Sequence, residues 1–388
     1  MNQLGGVFLC LGLSLSSFYL FPSGLPQPAD IILLPFIAIM LLMSLRDDQG
    51  LMHHPFVLAW LAMVTWITLV SLGWTVVDQD AGYLRFPLFF LFNFLAGAGL
   101  LRFLTAVPEG LRWVRLAVMV ALLVAFGGVM LDLGLGRIRA TGTFNNPNQL
   151  AFFSLCALVI LLASHGFRLP LRTMPVAAVV AAIGNILAAS SLAAMGGLCL
   201  VLLSWALANV GQLRHLLRLV LLMPLLLVLL VGFDAWTGGR IEHNLTQRFE
   251  RAPGKVEGVY EDRKYQRMVE FPAYNLLGAG EGNTDRFRPY HGNEIHSSFG
   301  TMLFSYGVPG LALFLSTLVT VVWRAPPHVW LALSGPLLYS VTHNGLRTTL
   351  FWLMLVVLWH SHRLWREREA LARPAPKATL RFPWSMET

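Results

Sequence analysis

NEIHSSFGTMLFSYGVPGLALF, residues 293–314, begins as a polar, charged loop and turns within four residues into an apolar run of membrane-crossing length. The rest of the chain repeats that change of character. It has 388 residues, of which 56% are hydrophobic and only 12% charged, and its mean hydropathy is +0.63. These values lie outside the range of soluble globular domains and indicate an all-α polytopic membrane protein. A helix needs roughly 17–25 apolar residues to cross about 30 Å of hydrocarbon. About twelve such stretches are present, near 4–21, 29–45, 55–77, 84–103, 112–131, 149–165, 174–190, 193–209, 216–236, 297–322, 327–343 and 347–362. The boundary at 190–193 is the least defined, because AASSLAAMGG offers small residues and no loop, and that pair could be one broken helix.

Short loops rich in Lys and Arg stay on the cytoplasmic side. With the N-terminus inside, the inner loops and tail hold Arg46, Arg102, Arg112, Arg115, Arg168, Arg172, Arg214, Arg218, Arg324, Arg363, Arg366, Arg368, Arg373, Lys377 and Arg381. The short outer segments hold only Arg85, Arg137, Arg139 and Arg347. The expected organisation is nine membrane helices over 1–236, a periplasmic loop over 237–296, three more helices over 297–362, and a cytoplasmic tail over 363–388. Both termini are then cytoplasmic. The first apolar segment lacks a basic leader and a small-residue cleavage site, so a retained helix is expected. Cys10, Cys156 and Cys199 all fall inside apolar segments and imply neither a disulfide framework nor a zinc site. The net charge of +8 tracks the inner face and tail, which fits a membrane surface better than nucleic acid.

The long hydrophilic segment 237–296 carries nine Lys/Arg and nine Asp/Glu, a balance that suggests internal pairing and a folded piece. Within it, YEDRKYQRMVEFPAY has Tyr260, Lys264, Arg267 and Met268 at near-helical spacing and stops at Pro272, and NLLGAGEGN supplies a glycine-rich turn. A loop of this length between tightly connected helices is usually functional or disordered, and its aromatic content argues against disorder. His296 stands where it returns to the membrane. An interfacial histidine that tolerates the headgroup zone is one role; a general base for a sugar hydroxyl held at the membrane surface is another. A metal site from His291, Glu294 and His296 has suitable ligand types, but the spacing matches no strong zinc signature, and no metal or other cofactor is expected. Arg263, Arg267, Arg286 and Arg288 share the loop, while Arg85, Arg139 and Arg347 lie at helix ends on the same face. Guanidinium groups grip phosphate oxygens bidentately, although each one singly could be an interfacial anchor or a surface ion pair.

His296–Ser297, nine residues, then Gly307-Val308-Pro309-Gly310 resembles the signature of the bacterial O-antigen ligase and polymerase family of membrane glycosyltransferases. RATGTFNNPNQLAFF (139–153) is similar to that family's Gly-x-Phe-x-x-Pro-Asn segment, with Gly142, Phe144, Pro147 and Asn148 in register. RKYQRMVEFPAYNLLGAGEGN resembles its arginine-led helix and Leu-x-Gly-x-Gly turn, which places Arg263 or Arg267 at the phosphate-gripping position. The likeness covers roughly 139–362. One departure stands at Ser190-Ser191-Leu192, where many members carry an arginine. Arg139 or Arg347 could supply that charge from elsewhere.

The resemblance implies metal-independent transfer of a glycan from undecaprenyl diphosphate to an acceptor hydroxyl at the periplasmic face of the bacterial inner membrane. The acceptor would be lipid A core for a ligase or a lipid-linked repeat unit for a polymerase. It implies His296 as general base, arginines on the diphosphate, and Tyr290, Asn293 and Glu294 close enough to orient substrate or the imidazole. Membrane lipids are the surroundings and nucleic acid is not a partner. Asn148 is also a good helix N-cap, and Gly307 and Gly310 suit a kink or close helix packing. An alternative is a transporter or flippase of a lipid-linked sugar, which would want ionisable groups near the bilayer midplane, whereas the charges here sit near helix ends.

Overall fold

The computed structural model describes residues 2–22, 25–46, 53–168, 170, 172–211, 228, 231–232, 234–251, 263–287 and 294–372. Among these the chain is helical, with no strand. The helices are α1 (Asn2–Leu15), α2 (Pro28–Arg46), α3 (Pro55–Asp78), α4 (Arg85–Ala106), α5 (Gly110–Gly134), α6 (Pro147–Ser164), α7 (Thr173–Ala188) and α8 (Leu192–Ala208). Then follow α9 (Arg240–Glu250), α10 (Gln266–Glu270), α11 (Tyr274–Leu277), α12 (Ser298–Val322), α13 (Pro327–Thr342) and α14 (Thr349–Ala372). Six segments of the described chain, 28–45, 55–78, 81–106, 110–134, 147–164 and 298–322, are long and apolar enough to cross a membrane. Nine of the twelve expected apolar stretches coincide with helices within three residues at both ends, α1 stops six residues short of its stretch, α14 runs ten residues beyond its own, and most of the stretch near 216–236 lies outside the described residues.

Prolines set several of the starts. Pro55, Pro147 and Pro327 occupy first-turn positions, where the missing N–H costs no helical bond. The helix at the opening sequence is α12, and Ser297 caps it by accepting from the Gly300 amide at 3.1 Å. In α6 every residue from Leu150 to Ser164 is buried, as is the run Leu350–Leu358 in α14. Apolar on every side, these two helices form the centre of the bundle and pack on each other. By contrast, Leu34, Leu42, Leu58 and Leu69 on α2 and α3 are exposed, an outward apolar band suited to lipid.

Successive long helices run in alternate directions between two ends. At one end Asp78 of α3 meets Arg286, Thr349 of α14 bonds Asp30 of α2, and Tyr339 of α13 bonds Asn148 of α6. At the opposite end Arg363 of α14 meets His54 before α3, and Asn209 after α8 donates to the Phe167 carbonyl after α6. That last bond decides the ambiguous boundary at 190–193. The chain turns at Ser190, whose φ is +49°, and α7 and α8 are two antiparallel helices instead of one broken helix. α8 then lies against α13 at a glycine pair, where a Cβ on Gly197 would come within 2.6 Å of the Gly335 carbonyl oxygen.

The described part of 237–296 is folded, with a small core of its own: Ala279, Phe287 and Ile295 packed on Phe304 of α12. Its arginine-led helix begins later than the spacing predicts. Lys264 has φ +61°, a left-handed conformation that ends regular helix on its N-terminal side, so α10 starts at Gln266 and stops before Pro272 as expected. Tyr260 lies outside the described residues.

Candidate active site at one end of the bundle

The glycine-rich turn and the α12 kink meet backbone to backbone. Pro309 has no N–H to offer the Ser305 carbonyl, and Gly307 leaves helical geometry altogether (φ +72°, ψ −178°). Three consecutive carbonyls take donors from outside the helix: Phe304 O accepts from Ala279 N at 2.9 Å, Ser305 O from Gly280 N at 2.9 Å, and Tyr306 O from Trp66 Nε1 at 2.7 Å. Trp74 Nε1 in turn donates to Gly278 O at 2.9 Å. The Gly307–Gly310 motif therefore works as a docking kink for the loop, within the roles foreseen for it.

Docking delivers Glu281 to a charge network absent from the sequence expectations. Arg347 is ion-paired with Glu281 and, at 3.0 Å, with Glu294, and Tyr306 donates to Glu281 at 3.0 Å. Burial by itself would lower the Arg347 pKa, but Glu281 and then Glu294 outweigh it and the net shift is upward. Arg347, read from the sequence as a grip on substrate, and Glu294, read as orienting it or the imidazole, hold each other here, two carboxylates converging on one guanidinium. Arg347→Gln should destabilise the protein by about 3 kcal/mol, since it leaves the largely buried Glu281 carboxylate without its cation, with only the Tyr306 hydroxyl bonded to it. A double-mutant cycle with Glu281→Gln, read by unfolding of the purified protein, checks this: the double variant should recover part of the loss.

The Arg347–Glu294 pair forms a shared wall between two cavities of about 220 Å³ each. One is lined by Asp30, Asn93, Gln149 and Asn344 among others, and the second by Arg85, Arg267, Glu281 and Thr301. Arg267 is only 3% exposed, with its guanidinium over the Phe287 and Phe304 rings at 5.2 and 5.7 Å. Its packing is structural as well as cavity-lining. Arg286 is likewise engaged, ion-paired with Asp78 at 3.3 Å and stacked over Trp74.

A second group surrounds His296. The His296 amide donates to the Arg263 carbonyl at 3.3 Å, and the side chain is exposed on its outer side; it lies outside the walls of both cavities, which Glu294 lines two residues earlier. Arg263 is half-buried, and its Nε is shielded from solvent with no hydrogen-bond partner among the described residues. Desolvation on the protein-facing side, and then the charge of Arg263, hold His296 below the ordinary histidine value, against a smaller opposing pull from Glu294. The ring is therefore a neutral imidazole near pH 7, able to accept a proton.

Arg139 is carried on a loop fixed by Asp132, which accepts from the Thr141 and Gly142 amides at 2.7 and 2.8 Å and pairs with Arg137. Its Nε donates to Ala189 O at 3.0 Å, at the C-terminus of α7, and its Nη2 donates to Asn148 Oδ1 at 3.1 Å. The guanidinium thus reaches the Ser190–Ser191 turn that precedes Leu192. Burial, then Arg248, pulls its pKa down to about 10, so it stays charged at neutral pH. Asn148 is not the helix cap: with Pro147 in the first turn, Asn146 is the cap and accepts from the Asn148 amide at 2.8 Å. Arg288, Tyr290, His291 and Asn293 lie outside the described residues.

His343 joins this group without having been singled out in the sequence. It ends α13, stacks on Tyr339 with ring centroids 4.4 Å apart, and has its pKa pushed down to about 3 by burial first and then by Arg263 and His296. The signal was the pairing of HNG with the arginine in HNGLRTT, a polar stop to an apolar helix. Because the unfolded chain binds a proton here below pH 6.5 and the folded one does not until about 3, stability should fall as pH drops through that window. His343→Gln should flatten the decline by up to about 1.4 kcal/mol per pH unit, as measured by unfolding at a series of pH values.

No protein-family model and no curated protein matches this chain.

Proposed function

We propose that the protein is a membrane glycosyltransferase of the O-antigen ligase and polymerase type, moving a glycan from a polyprenyl diphosphate to an acceptor hydroxyl. The observation that carries this is the exposed imidazole of His296, held below the ordinary histidine value beside Arg263, whose Nε has no partner among the described residues, at the bundle end that also holds Arg139. In this reaction the acceptor oxygen attacks the anomeric carbon and its proton passes to His296. The bond from that carbon to the diphosphate oxygen breaks, the electron pair leaves with the diphosphate, and the configuration inverts. Arg263 and Arg139 stabilise the charge that develops on the leaving group. Arg139 stands in for the family arginine missing at Leu192, because its guanidinium reaches the turn just before that position.

The chain would cross the bacterial inner membrane about twelve times, with both termini cytoplasmic and the His296 end periplasmic. Support for that sidedness comes from the opposite end, which gathers Arg102, Arg112, Arg115, Arg172, Arg324 and Arg363. The test uses full-length protein in lipid nanodiscs with an undecaprenyl-diphosphate-linked oligosaccharide and either lipid A core or a second lipid-linked unit. Transfer to one acceptor and not the other assigns ligase or polymerase; no transfer to either removes the proposal.

A further inference from the structure

At the end of the bundle opposite His296, α12, α14 and the start of α3 enclose a groove of about 740 Å³. α12 runs 25 residues from the His296 end, about 37 Å at 1.5 Å per residue, so this groove is remote from the cavities described above. Its wall on α12 is a stripe of Leu315, Val319 and Trp323, spaced four residues apart and 42%, 41% and 60% exposed. The stripe ends at a basic rim. Arg363 is fixed there by Glu367 at 2.9 Å and by His54 Nε2 at 3.1 Å, with its guanidinium 5.4 Å from the Trp359 ring. Arg324 and Arg366 line the same groove, both are exposed, and among the described residues neither is ion-paired with a carboxylate. Among the described residues three guanidinium groups thus face one carboxylate, and that carboxylate is taken by Arg363.

We infer that this groove binds an anionic phospholipid, its phosphate among Arg324, Arg363 and Arg366 and one acyl chain along Leu315 and Val319. The rim calls for a phosphate with no compensating ammonium, and the apolar stripe leading from it calls for a hydrocarbon chain, which free phosphate lacks. Indole rings at the junction, Trp323 and Trp359, suit the boundary between headgroup and hydrocarbon. This site is independent of the glycosyltransferase proposal.

Native mass spectrometry of the full-length protein tests it, with equal amounts of phosphatidylglycerol and phosphatidylcholine of matched chains. Wild type should retain phosphatidylglycerol about tenfold in preference, and Arg324→Gln/Arg366→Gln should bring the ratio to about one. Val319→Asp, which leaves the rim intact, should also lower phosphatidylglycerol retention. Equal retention of both lipids by wild type would overturn the proposal. So would a preference unchanged in the double variant, or full displacement of the lipid by millimolar inorganic phosphate.

Discussion

His296→Ala is expected to lower the rate of glycan transfer by about 10²- to 10⁴-fold, the contribution of a positioned general base. On the proposed mechanism the loss should fall on kcat, because the imidazole would take its proton only as the acceptor oxygen attacks, while donor binding would rest on the arginines. Exposure of the ring to solvent means that its removal should leave thermal stability nearly unchanged. The pH profile separates this role from a merely structural one. Only the neutral ring can accept a proton, so wild-type activity should fall as pH drops through the His296 pKa. That limb should lie below 6.5, since desolvation and Arg263 both disfavour the imidazolium. The alanine variant should lack the limb. A variant within threefold of wild type at neutral pH would take the base role away from His296.

The second large effect is on stability. Gly307→Ala and Gly278→Ala should each destabilise the protein by about 3 kcal/mol. At Gly307 a Cβ would stand 2.5 Å from the Leu276 carbonyl oxygen, and at Gly278 it would stand 2.5 Å from that of Ser305. Both residues also have positive φ, +72° and +103°, which L side chains rarely adopt. The atoms in the way belong to backbone and cannot swing aside as a side-chain tip would. Since both substitutions prise open the same crossing, the double variant should lose clearly less than the sum of the two. Thermal unfolding in detergent measures this, and additive losses would mean that the two glycines do not share one contact.

Much of the bundle was legible because its causes are local. The apolar runs beginning near 55, 149, 297 and 327 each mark a helix within two residues of its observed start. His296, Arg263 and Arg139 could be placed at one end of the bundle from the order of the apolar runs alone. Pairings between distant segments left no such trace. Glu281 meets Arg347 across 66 positions, and Trp74 reaches Gly278 across 204. Nothing in GAGEGN shows that its glycines are shaped to fit a kink in α12. Arginines that looked equivalent in the sequence separate only by their neighbours: Arg347 has two carboxylates and Arg267 an aromatic bed, while Arg263 makes no ion pair among the described residues.

The junction between the glycine-rich turn and α12 is made of main-chain amides and carbonyls, which take no notice of side-chain identity beyond the need for glycine. Side chains of the turn that lie outside this crossing and outside the small core on Phe304 can consequently vary without unfastening it from α12.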